Sequence, residues 1–272
     1  MFSEEEDFEM FKDSVLCRKV KSFKTRANPL EELDDGEFYS RYRFDKTTVR
    51  FLVENLDIQD PITNRGLPIS PDLQVLVTLH FFGRNVHQSD VGALHGMVQS
   101  TVGKIIKNIA KRIASLLPHF IQFPSSPAEL NDIKSGFYNI ARFPKVIGAI
   151  DCTHLQIKRP ARIVGPIMAG HYINRKGYYS LNVQIVTDHK CRIIDIVARS
   201  RGSLHDSNIW NNCRLKSKLE ESISIHQGIL LGDAGYPCSN ILLTPLRNPS
   251  SRKEEKYNNS HTSTRSRIEC LN

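Results

Sequence analysis

The chain has 272 residues, of which 40% are hydrophobic and 24% are charged, a balance that is typical of a globular domain and excludes a fibrous or largely disordered chain. No stretch of 18 apolar residues occurs, so a membrane-spanning helix is not expected. The formal net charge of +8 becomes +13 over residues 10–272, where 37 basic residues face 24 acidic ones, which favours a polyanionic partner and leaves an inert basic surface as the alternative.

The N-terminal segment, residues 1–37, mixes charges with few periodic apolar positions and is predicted to be a mobile arm with one helix at most. Its acidic start, "MFSEEEDFEM", is neither a secretory nor a mitochondrial signal. The six cysteines of the chain are far apart and form no C-x-x-C pair, which argues against a zinc knuckle or a disulfide framework and for a reducing compartment. They are Cys17, Cys152, Cys191, Cys213, Cys238 and Cys270.

Helical signals dominate the next region, residues 38–125. Asp45 is a predicted N-cap, and apolar residues then follow at helical spacing from Val49 to Leu56. Ser70 followed by Pro71 is a strong start signal for a second helix, which is apolar on nearly all sides. This region is therefore predicted to be all-helical.

A short helix, Gly96 and a longer helix follow, and Ser100 or Thr101 is the predicted cap of the longer one. Its residues from Ile105 to Leu117 form one apolar stripe, while three lysines share another face. This order is typical of a helix-turn-helix, whose basic helix would contact DNA. An ordinary helical hairpin with a solvated basic face is the alternative reading. The lysines are Lys104, Lys107 and Lys111.

The sequence changes character after three prolines at positions 118, 124 and 127. Segments rich in Val and Ile at residues 146–151, 178–188 and 191–200 predict three strands, the last two joined as a hairpin through Asp188, His189 and Lys190. A helix capped near Ser203, a short strand in "QGILLGDAGYP" and a final helix starting near Thr262 or Thr264 follow. Residues 140–272 are thus predicted to form a mixed α/β sheet flanked by helices.

Two predicted strands end in an aspartate, "VIGAID" at Asp151 and "ILLGD" at Asp233. Functional groups collect at the carboxyl ends of strands in such sheets, and two neighbouring carboxylates repel each other unless a cation lies between them. Hard divalent ions prefer oxygen ligands, and a pair of them can hydrolyse a phosphodiester. Glu269, on the last helix, is the predicted third acid. Taken alone, Asp151 could instead be a turn or N-cap residue.

Three further residues have open roles. Asp206, in "GSLHDSNIW", is either a fourth metal ligand or an acid that stabilises the first turn of its own helix. His154 and His205 lack other metal ligands in the sequence around them, so they are expected to be structural or to face a phosphate. No G-x-S-x-G motif or glycine-rich phosphate loop is present, which disfavours an unrelated α/β hydrolase.

Five ordered blocks, together with the helix-turn-helix-like "VGALHGMVQSTVGKII", resemble PIF/Harbinger-type transposases, most closely the transposon-derived nucleases of animals. The resemblance runs from about residue 38 to the C-terminus and implies an RNase H-like catalytic domain. It implies a catalytic triad of Asp151, Asp233 and Glu269, with Asp206 as an additional metal ligand. The blocks are "GAIDCTHLQIKRP", "HYINRKGYYSLNVQIVTD", "GSLHDSNIW", "LLGDAGYP" with "LLTPLRNP", and "HTSTRSRIE".

The resemblance also implies partners and cofactors. Mg²⁺ or Mn²⁺ is the implied cofactor and DNA the substrate, with Arg175 and Lys176 holding phosphates beside the site; a solvated hairpin flank is the alternative for these two. A separate DNA-binding protein and a location in the nucleus, and secondarily the cytoplasm, are implied as well. Only three residues follow Glu269, whereas the family's helix runs on, so Glu269 is expected to fray. A truncated or domesticated copy that binds DNA or protein without cutting is therefore the alternative function.

Overall fold

The computed structural model describes residue 26 and residues 28–59, 67–160, 169–221 and 228–269. The chain divides into two compact units, Met1–Leu117 and Pro118–Asn272. Most of the predicted N-terminal arm, residues 1–25 and 27, lies outside the described residues, and the domain limits at 38–125 and 140–272 stay predictions. No described helix has the length and apolar character needed to cross a membrane.

The first four helices that the structure describes in the N-terminal unit begin at side-chain caps. The Asp45 side chain accepts a hydrogen bond from the Thr48 backbone N–H, as predicted. Ser70 caps the next long helix, and Pro71 is its first residue, so this prediction is confirmed too. The helices are α1 (Pro29–Glu32), α2 (Asp35–Tyr42), α3 (Lys46–Asn55), α4 (Pro71–Arg84), α5 (Gln88–Leu94) and α6 (Gln99–Ser115).

The central helix of this unit is α4, whose residues Val75, Leu76 and Val77 are fully buried. It packs with α6 through a core that includes Val102 and Ile109 of that helix. The predicted helix that is apolar on nearly all sides is therefore confirmed as the centre of the unit. Burial of such an apolar face supplies most of the stability of short helices in proteins.

A tight turn joins α5 to α6. The Met97 backbone N–H donates to the Gly92 carbonyl at 2.8 Å, and a Cβ at Gly92 would lie 2.6 Å from the Met97 carbonyl oxygen. Gly96 has a φ of 64°, a left-handed conformation that favours glycine. The predicted short helix, glycine turn and longer helix are thus present.

The predicted cap of α6 is wrong. This helix begins at Gln99 after Val98, and no side chain caps it, because the turn already sets the chain in the helical direction before Ser100 and Thr101. Leu117, predicted as the end of the apolar stripe, is 41% exposed. The three lysines Lys104, Lys107 and Lys111 are exposed on α6.

The C-terminal unit contains a five-stranded mixed sheet in the order β3-β2-β1-β4-β5. Strand β1 is antiparallel to β2 and parallel to β4, and β2 is antiparallel to β3. The predicted mixed α/β fold is therefore confirmed. Helix α7 (Leu117–Phe120) spans the division between the units. The remaining elements are α8 (Pro127–Ala141), β1 (Val146–Gln156), β2 (Ser180–Thr187), β3 (Ile193–Arg201), α9 (Asp206–Asn211), α10 (Arg214–Glu221), β4 (Ile229–Leu231), β5 (Leu242–Leu243) and α11 (Arg252–Glu269).

Residues of β1 pack into two different cores, with a register shift between Val146 and Gly148. Ile147 and Ile150 lie in a cluster with Trp210 of α9, whereas Val146 and Ala149 lie in a cluster with Phe137 of α8 and residues of α11. Both faces of β1 are thus covered by helices, as its continuous apolar run predicted. Cys152 packs against the first cluster, so Asp151, its neighbour, points toward the second.

Several element limits differ from the prediction. Strand β1 does not end at Asp151 but continues to Gln156, because its antiparallel pairing with β2 extends to Gln156 opposite Ser180. The hairpin of β2 and β3 is confirmed. The helix predicted from Ser203 is in fact two helices, and His205 rather than Ser203 is the residue before the first.

Two long helices were misjudged from the sequence. Helix α11 begins at Arg252, ten or twelve residues before the predicted start. The Glu254 N–H donates to the Ser251 hydroxyl group, and the Glu254 carboxylate accepts from the Ser250 N–H, which together form a start signal. Glu269 is the last residue of this helix of 18 residues, and its expected fraying stays a prediction. Helix α8 was not predicted, although the capping box of Ser126 and Glu129 marks its start.

Candidate active site

Asp151 and Asp233 lie at the same edge of the sheet. The parallel register sets Ala149 of β1 opposite Leu231 of β4, and each aspartate is two residues further along. Side chains two residues apart on a strand share a face. Because of this register, both carboxylates lie just beyond the carboxyl end of β4. Asp151 therefore does not end its own strand, but it lies where the parallel pairing has stopped.

The carboxylates of Asp206 and Asp233 both lie next to Gly235. A Cβ at Gly235 would lie 3.1 Å from Asp233 Oδ1 and 3.5 Å from Asp206 Oδ2. The Gly235 backbone N–H donates to Asp233 Oδ1 at 2.9 Å, which holds that carboxylate against the turn. The missing side chain at position 235 thus leaves room for two carboxylates from separate segments to face each other, and we call these two residues the Asp206–Asp233 pair.

Asp151 and Glu269 are joined by an arginine of helix α11. Arg265 Nη1 lies 3.6 Å from Asp151 Oδ2, and Arg265 Nη2 lies 2.5 Å from Glu269 Oε1. The Cys152 backbone N–H donates to the other oxygen of Asp151 at 2.9 Å. We call these two acids the Asp151–Glu269 pair. The predicted third acid does reach the neighbourhood of Asp151, because α11 is long enough to pack against β1.

The structure thus brings the predicted acids together as two pairs rather than as one cluster. Within the ranges that the structure describes, no group of three or more His, Cys, Asp or Glu side chains is close enough to hold a metal ion. Tyr236 connects the two pairs: its hydroxyl group is 3.1 Å from the Sγ of Cys152, the neighbour of Asp151, and its backbone N–H donates to the Asp233 carbonyl at 3.2 Å. The arrangement supplies carboxylate oxygens at one end of the sheet, with a guanidinium already present among them.

The half-buried Cys152 and the buried Tyr236 lie side by side in the candidate site. The Cys152 Sγ and the Tyr236 hydroxyl oxygen are 3.1 Å apart. Burial raises the pKa of the Cys152 thiol, and the charges of Asp206 and Asp151 add to this effect. Burial likewise raises the pKa of Tyr236. Raised pKa values favour the protonated forms of both groups, so they are hydrogen-bonding partners of each other rather than nucleophiles. Neither role was predicted from the sequence.

Asn182 of β2 orients Asp206. Its Nδ2 donates to Asp206 Oδ1 at 3.0 Å and to the Leu204 carbonyl at 2.9 Å, and the residue is only 1% exposed. The only sequence signal for this role is a polar residue inside an apolar strand, where a hydrogen-bonding duty is expected. Asn182 is therefore a positioning residue for the Asp206–Asp233 pair.

Replacing Asn182 by Ala should lower the free energy of unfolding by about 1–3 kcal/mol, because the partly buried Leu204 carbonyl and Asp206 carboxylate both lose a buried donor. Thermal unfolding followed by the fluorescence of Trp210, the single tryptophan, measures the loss. The matched control is Asn211→Ala, which removes the exposed contact between Lys216 Nζ and Asn211 Oδ1 and should change stability by less than about 0.5 kcal/mol. Equal losses in the two variants would contradict the positioning role.

Hydrogen-bonding contacts connect His154 with the turn that contains Arg175 and Lys176. His154 Nδ1 lies 3.1 Å from the hydroxyl group of Ser180, which also accepts from Asn174 Nδ2. Asn174 Oδ1 in turn accepts from the Lys176 backbone N–H. Burial lowers the pKa of His154, Asp206 opposes the shift, and Arg175 and Lys176 add to it. The predicted turn thus places two exposed cations near His154.

The lysines of α6 belong to the other unit. Lys104, Lys107 and Lys111 are exposed on a helix of the N-terminal unit, whereas Arg175 and Lys176 are in the C-terminal unit with the carboxylates. The predicted site residues therefore form two groups, one in each unit, and each group is described by itself.

Comparison with known proteins adds the family. A family model described as DDE superfamily endonuclease matches residues 150–272. The protein named "Putative nuclease HARBI1" of Rattus norvegicus is 33% identical over 243 residues, which cover 88% of this chain and 67% of the rat protein. The Homo sapiens protein of that name is 32% identical with the same coverage. "Protein ALP1-like" of Arabidopsis thaliana is 29% identical over 212 residues, or 73% of this chain and 51% of that protein. No solved structure matches the chain significantly.

Proposed function

We propose that this chain, which belongs to the DDE superfamily of endonucleases and to its group derived from Harbinger transposases, is a divalent-metal-dependent endonuclease that cuts DNA. The observation that carries the proposal is the meeting of Asp206 and Asp233 across Gly235, beside the Asp151–Glu269 pair. Neighbouring carboxylates repel each other, and a cation bound between them would relieve that repulsion.

The donor set fits Mg²⁺ or Mn²⁺. Endonucleases of this superfamily generally use divalent metals, and hard divalent ions prefer carboxylate oxygens. A Cβ at position 235 would fill the space between the Asp206 and Asp233 carboxylates, which supports a role for that space in holding an ion. Asp151, Asp233 and Glu269 would hold a pair of divalent ions, with Asp206 as an additional ligand. When bound, such ions activate a water and stabilise the oxygen that leaves the phosphodiester.

The side chains of this protein would bind and orient the DNA around that chemistry. Arg175 and Lys176 neutralise phosphates next to the scissile one, because they are exposed on a turn that Asn174 holds in place. The hydrolysis consumes one water: its oxygen bonds to phosphorus, the bond from phosphorus to O3′ breaks, and a proton goes to O3′. The products are ends that carry a 3′-hydroxyl and a 5′-phosphate.

Plasmid nicking tests this function. Purified protein incubated with supercoiled plasmid and Mg²⁺ or Mn²⁺ should convert it to the relaxed form, and chelation of the ion should stop the reaction. The same preparation without divalent ions serves as the control. Absence of nicking under both ions, with a folded protein, would refute the proposal.

The second candidate is a DNA- or protein-binding module without nuclease activity. The observation that favours it is the ion pairing of Arg265 with both Asp151 and Glu269, which gives these acids a cation without any metal. Titration with Mn²⁺ separates the two functions, because an ion that binds the folded state alone raises its melting temperature. A shift supports the nuclease; an unchanged melting temperature with retained DNA binding supports the module.

We further propose that the basic face of α6 binds the DNA backbone. Changing Lys104, Lys107 and Lys111 together to Gln should lower the slope of log K against log salt by about 2–3, since each neutralised phosphate contributes about 0.9 to that slope. Fluorescence anisotropy with a labelled duplex at several salt concentrations measures it. A separate DNA-binding partner protein and action in the nucleus remain part of the proposal.

A control of equal charge is available on α11. Arg252, Lys253 and Lys256 are exposed near its N-terminal end, and Lys256 is roughly 20 Å along the helix from Glu269 at 1.5 Å per residue. The triple Gln variant of these residues should keep the wild-type slope. If both triple variants lower the slope equally, binding follows net charge and the proposed face of α6 is wrong.

A further inference from the structure

Arg265 is almost buried between two acids of the candidate site. Its side chain is 14% exposed and that of Asp151 16%, while Glu269 is half exposed. Its Nη2 group is hydrogen-bonded to Glu269 at 2.5 Å. Its Nη1 group, by contrast, is buried and has no hydrogen-bond partner among the described residues; it points at Asp151 Oδ2 from 3.6 Å, which is too long for a hydrogen bond.

Helix stability does not explain this arrangement. A pair at positions i and i+4 stabilises a helix best when the acid precedes the base, and here Arg265 precedes Glu269. A guanidinium with one unsatisfied N–H group in a buried place is also unfavourable. The remaining explanation is electrostatic: the single positive charge of Arg265 allows Asp151 and Glu269 to approach each other across the gap between β1 and α11.

We propose that Arg265 is the resident counter-cation of the Asp151–Glu269 pair and competes with the divalent ion for these two carboxylates. This inference rests on the proposed nuclease function. An ion of charge +2 that binds Asp151 and Glu269 has to take the place of the guanidinium, because both cations use the same oxygens and repel each other. Arg265 therefore acts through the two acids as a positioning residue, and it weakens the affinity of the site for metal.

Removal of the charge at position 265 tests the competition by metal binding rather than by activity. The variant Arg265→Gln should bind Mn²⁺ at least about tenfold more tightly than the wild type, since a neighbouring positive charge no longer opposes the ion. Calorimetry and the electron paramagnetic resonance of free Mn²⁺ measure the dissociation constant. Arg265→Lys keeps the charge and should return the affinity toward the wild-type value.

Arg267→Gln is the matched control. Arg267 is exposed on the same helix and lies two residues from Arg265, so its loss removes the same net charge without freeing the acids. Its Mn²⁺ affinity should stay within about twofold of the wild type, as expected of an exposed, screened charge. Equal affinities of wild type and Arg265→Gln, or weaker binding by the variant, would overturn the competition while leaving the nuclease proposal intact.

Nuclear magnetic resonance of the unchanged protein gives a second test, in case the variant does not fold. Titration with Mg²⁺ should shift the side-chain ¹⁵N signals of Arg265 and leave those of Arg267 in place. Mg²⁺ binding without a change at Arg265 would overturn the inference alone. If neither Mg²⁺ nor Mn²⁺ binds to the wild type or to any variant, both this inference and the proposed metal-dependent function are refuted.

Discussion

Replacing Asp151 by Asn should lower plasmid nicking by about a thousandfold or more, because charge stabilisation by bound metal contributes several kcal/mol to the reaction. The amide has the size of the carboxylate and can still accept the Cys152 N–H hydrogen bond, so the strand should keep its structure. What it loses is the negative charge that a divalent ion needs. Initial rates of nicking at saturating Mn²⁺ measure the effect, and circular dichroism verifies the fold.

The matched control for this variant is Asp132→Asn on α8. Asp132 is an exposed acid of the same unit whose carboxylate contacts only Lys190 among the described ion pairs, and its nicking rate should stay within about twofold of the wild type, as is usual for surface substitutions. Should the Asp151 variant nick as fast as the wild type, the activity would come from elsewhere and Asp151 would have no catalytic role.

The sheet and its acids could be predicted because their signals are local. The apolar run before Asp151 and the short run before Asp233 are buried strands whichever partner they pair with. The Val- and Ile-rich hairpin of β2 and β3 likewise follows from alternation and a turn at Asp188. Parallel pairing of β1 with β4 then follows from sheet geometry, and it carries the two aspartates to one edge.

The features that escaped prediction depend on contacts between remote segments. Nothing adjacent to Asp151 in the chain indicates that β1 should continue to Gln156, because the pairing with Ser180 of β2 decides it. The same is true of Arg265, because its polar helix sequence does not indicate that its side chain lies between Asp151 and Glu269. The sequence shows Asn182 as a polar residue in a strand, but it does not indicate that Asn182 bonds to Asp206.

The start of α11 was missed for a different reason. Its sequence, "RKEEKYNNSHTSTRSRIE", is polar throughout, so hydrophobic periodicity gives no signal before Thr264 and Ile268. The cap formed by Ser250, Ser251 and Glu254 was present in the sequence and was a better guide. In a polar helix that buries only a few residues, the capping residues therefore predict the start better than hydrophobic periodicity does.

Lowering the pH from 7 to 5 should destabilise the N-terminal unit by about 2 kcal/mol through His95, which lies in the turn before α6. His95 is 5% exposed, and its ring centroid is 5.6 Å from that of His80. Burial lowers the pKa of His95 from 6.5 to about 4, and His80 and Arg41 add to this effect. Its Nε2 is buried without a hydrogen-bond partner among the described residues, so a proton there would be unsatisfied.

Acidification lowers the stability of the folded state because the pKa of His95 is lower in the folded chain than in the unfolded chain. At pH values between about 4 and 6.5 the unfolded chain binds the proton and the folded chain does not, so stability is fully present above pH 6.5 and is lost as the pH falls toward 4. One pKa unit corresponds to about 1.4 kcal/mol, which makes the complete loss about 3 kcal/mol. Because the turn orients α6, DNA binding by its lysines should weaken over the same range.

Urea unfolding at both pH values measures this loss by far-ultraviolet circular dichroism, with Trp210 fluorescence reporting the C-terminal unit separately. In His95→Phe most of the pH dependence should disappear, and the remainder belongs to His80, whose pKa is also lowered by burial. His87→Gln removes an exposed histidine of the same unit and should keep the wild-type dependence. If His95→Phe loses as much stability on acidification as the wild type does, the buried imidazole is not the titrating group.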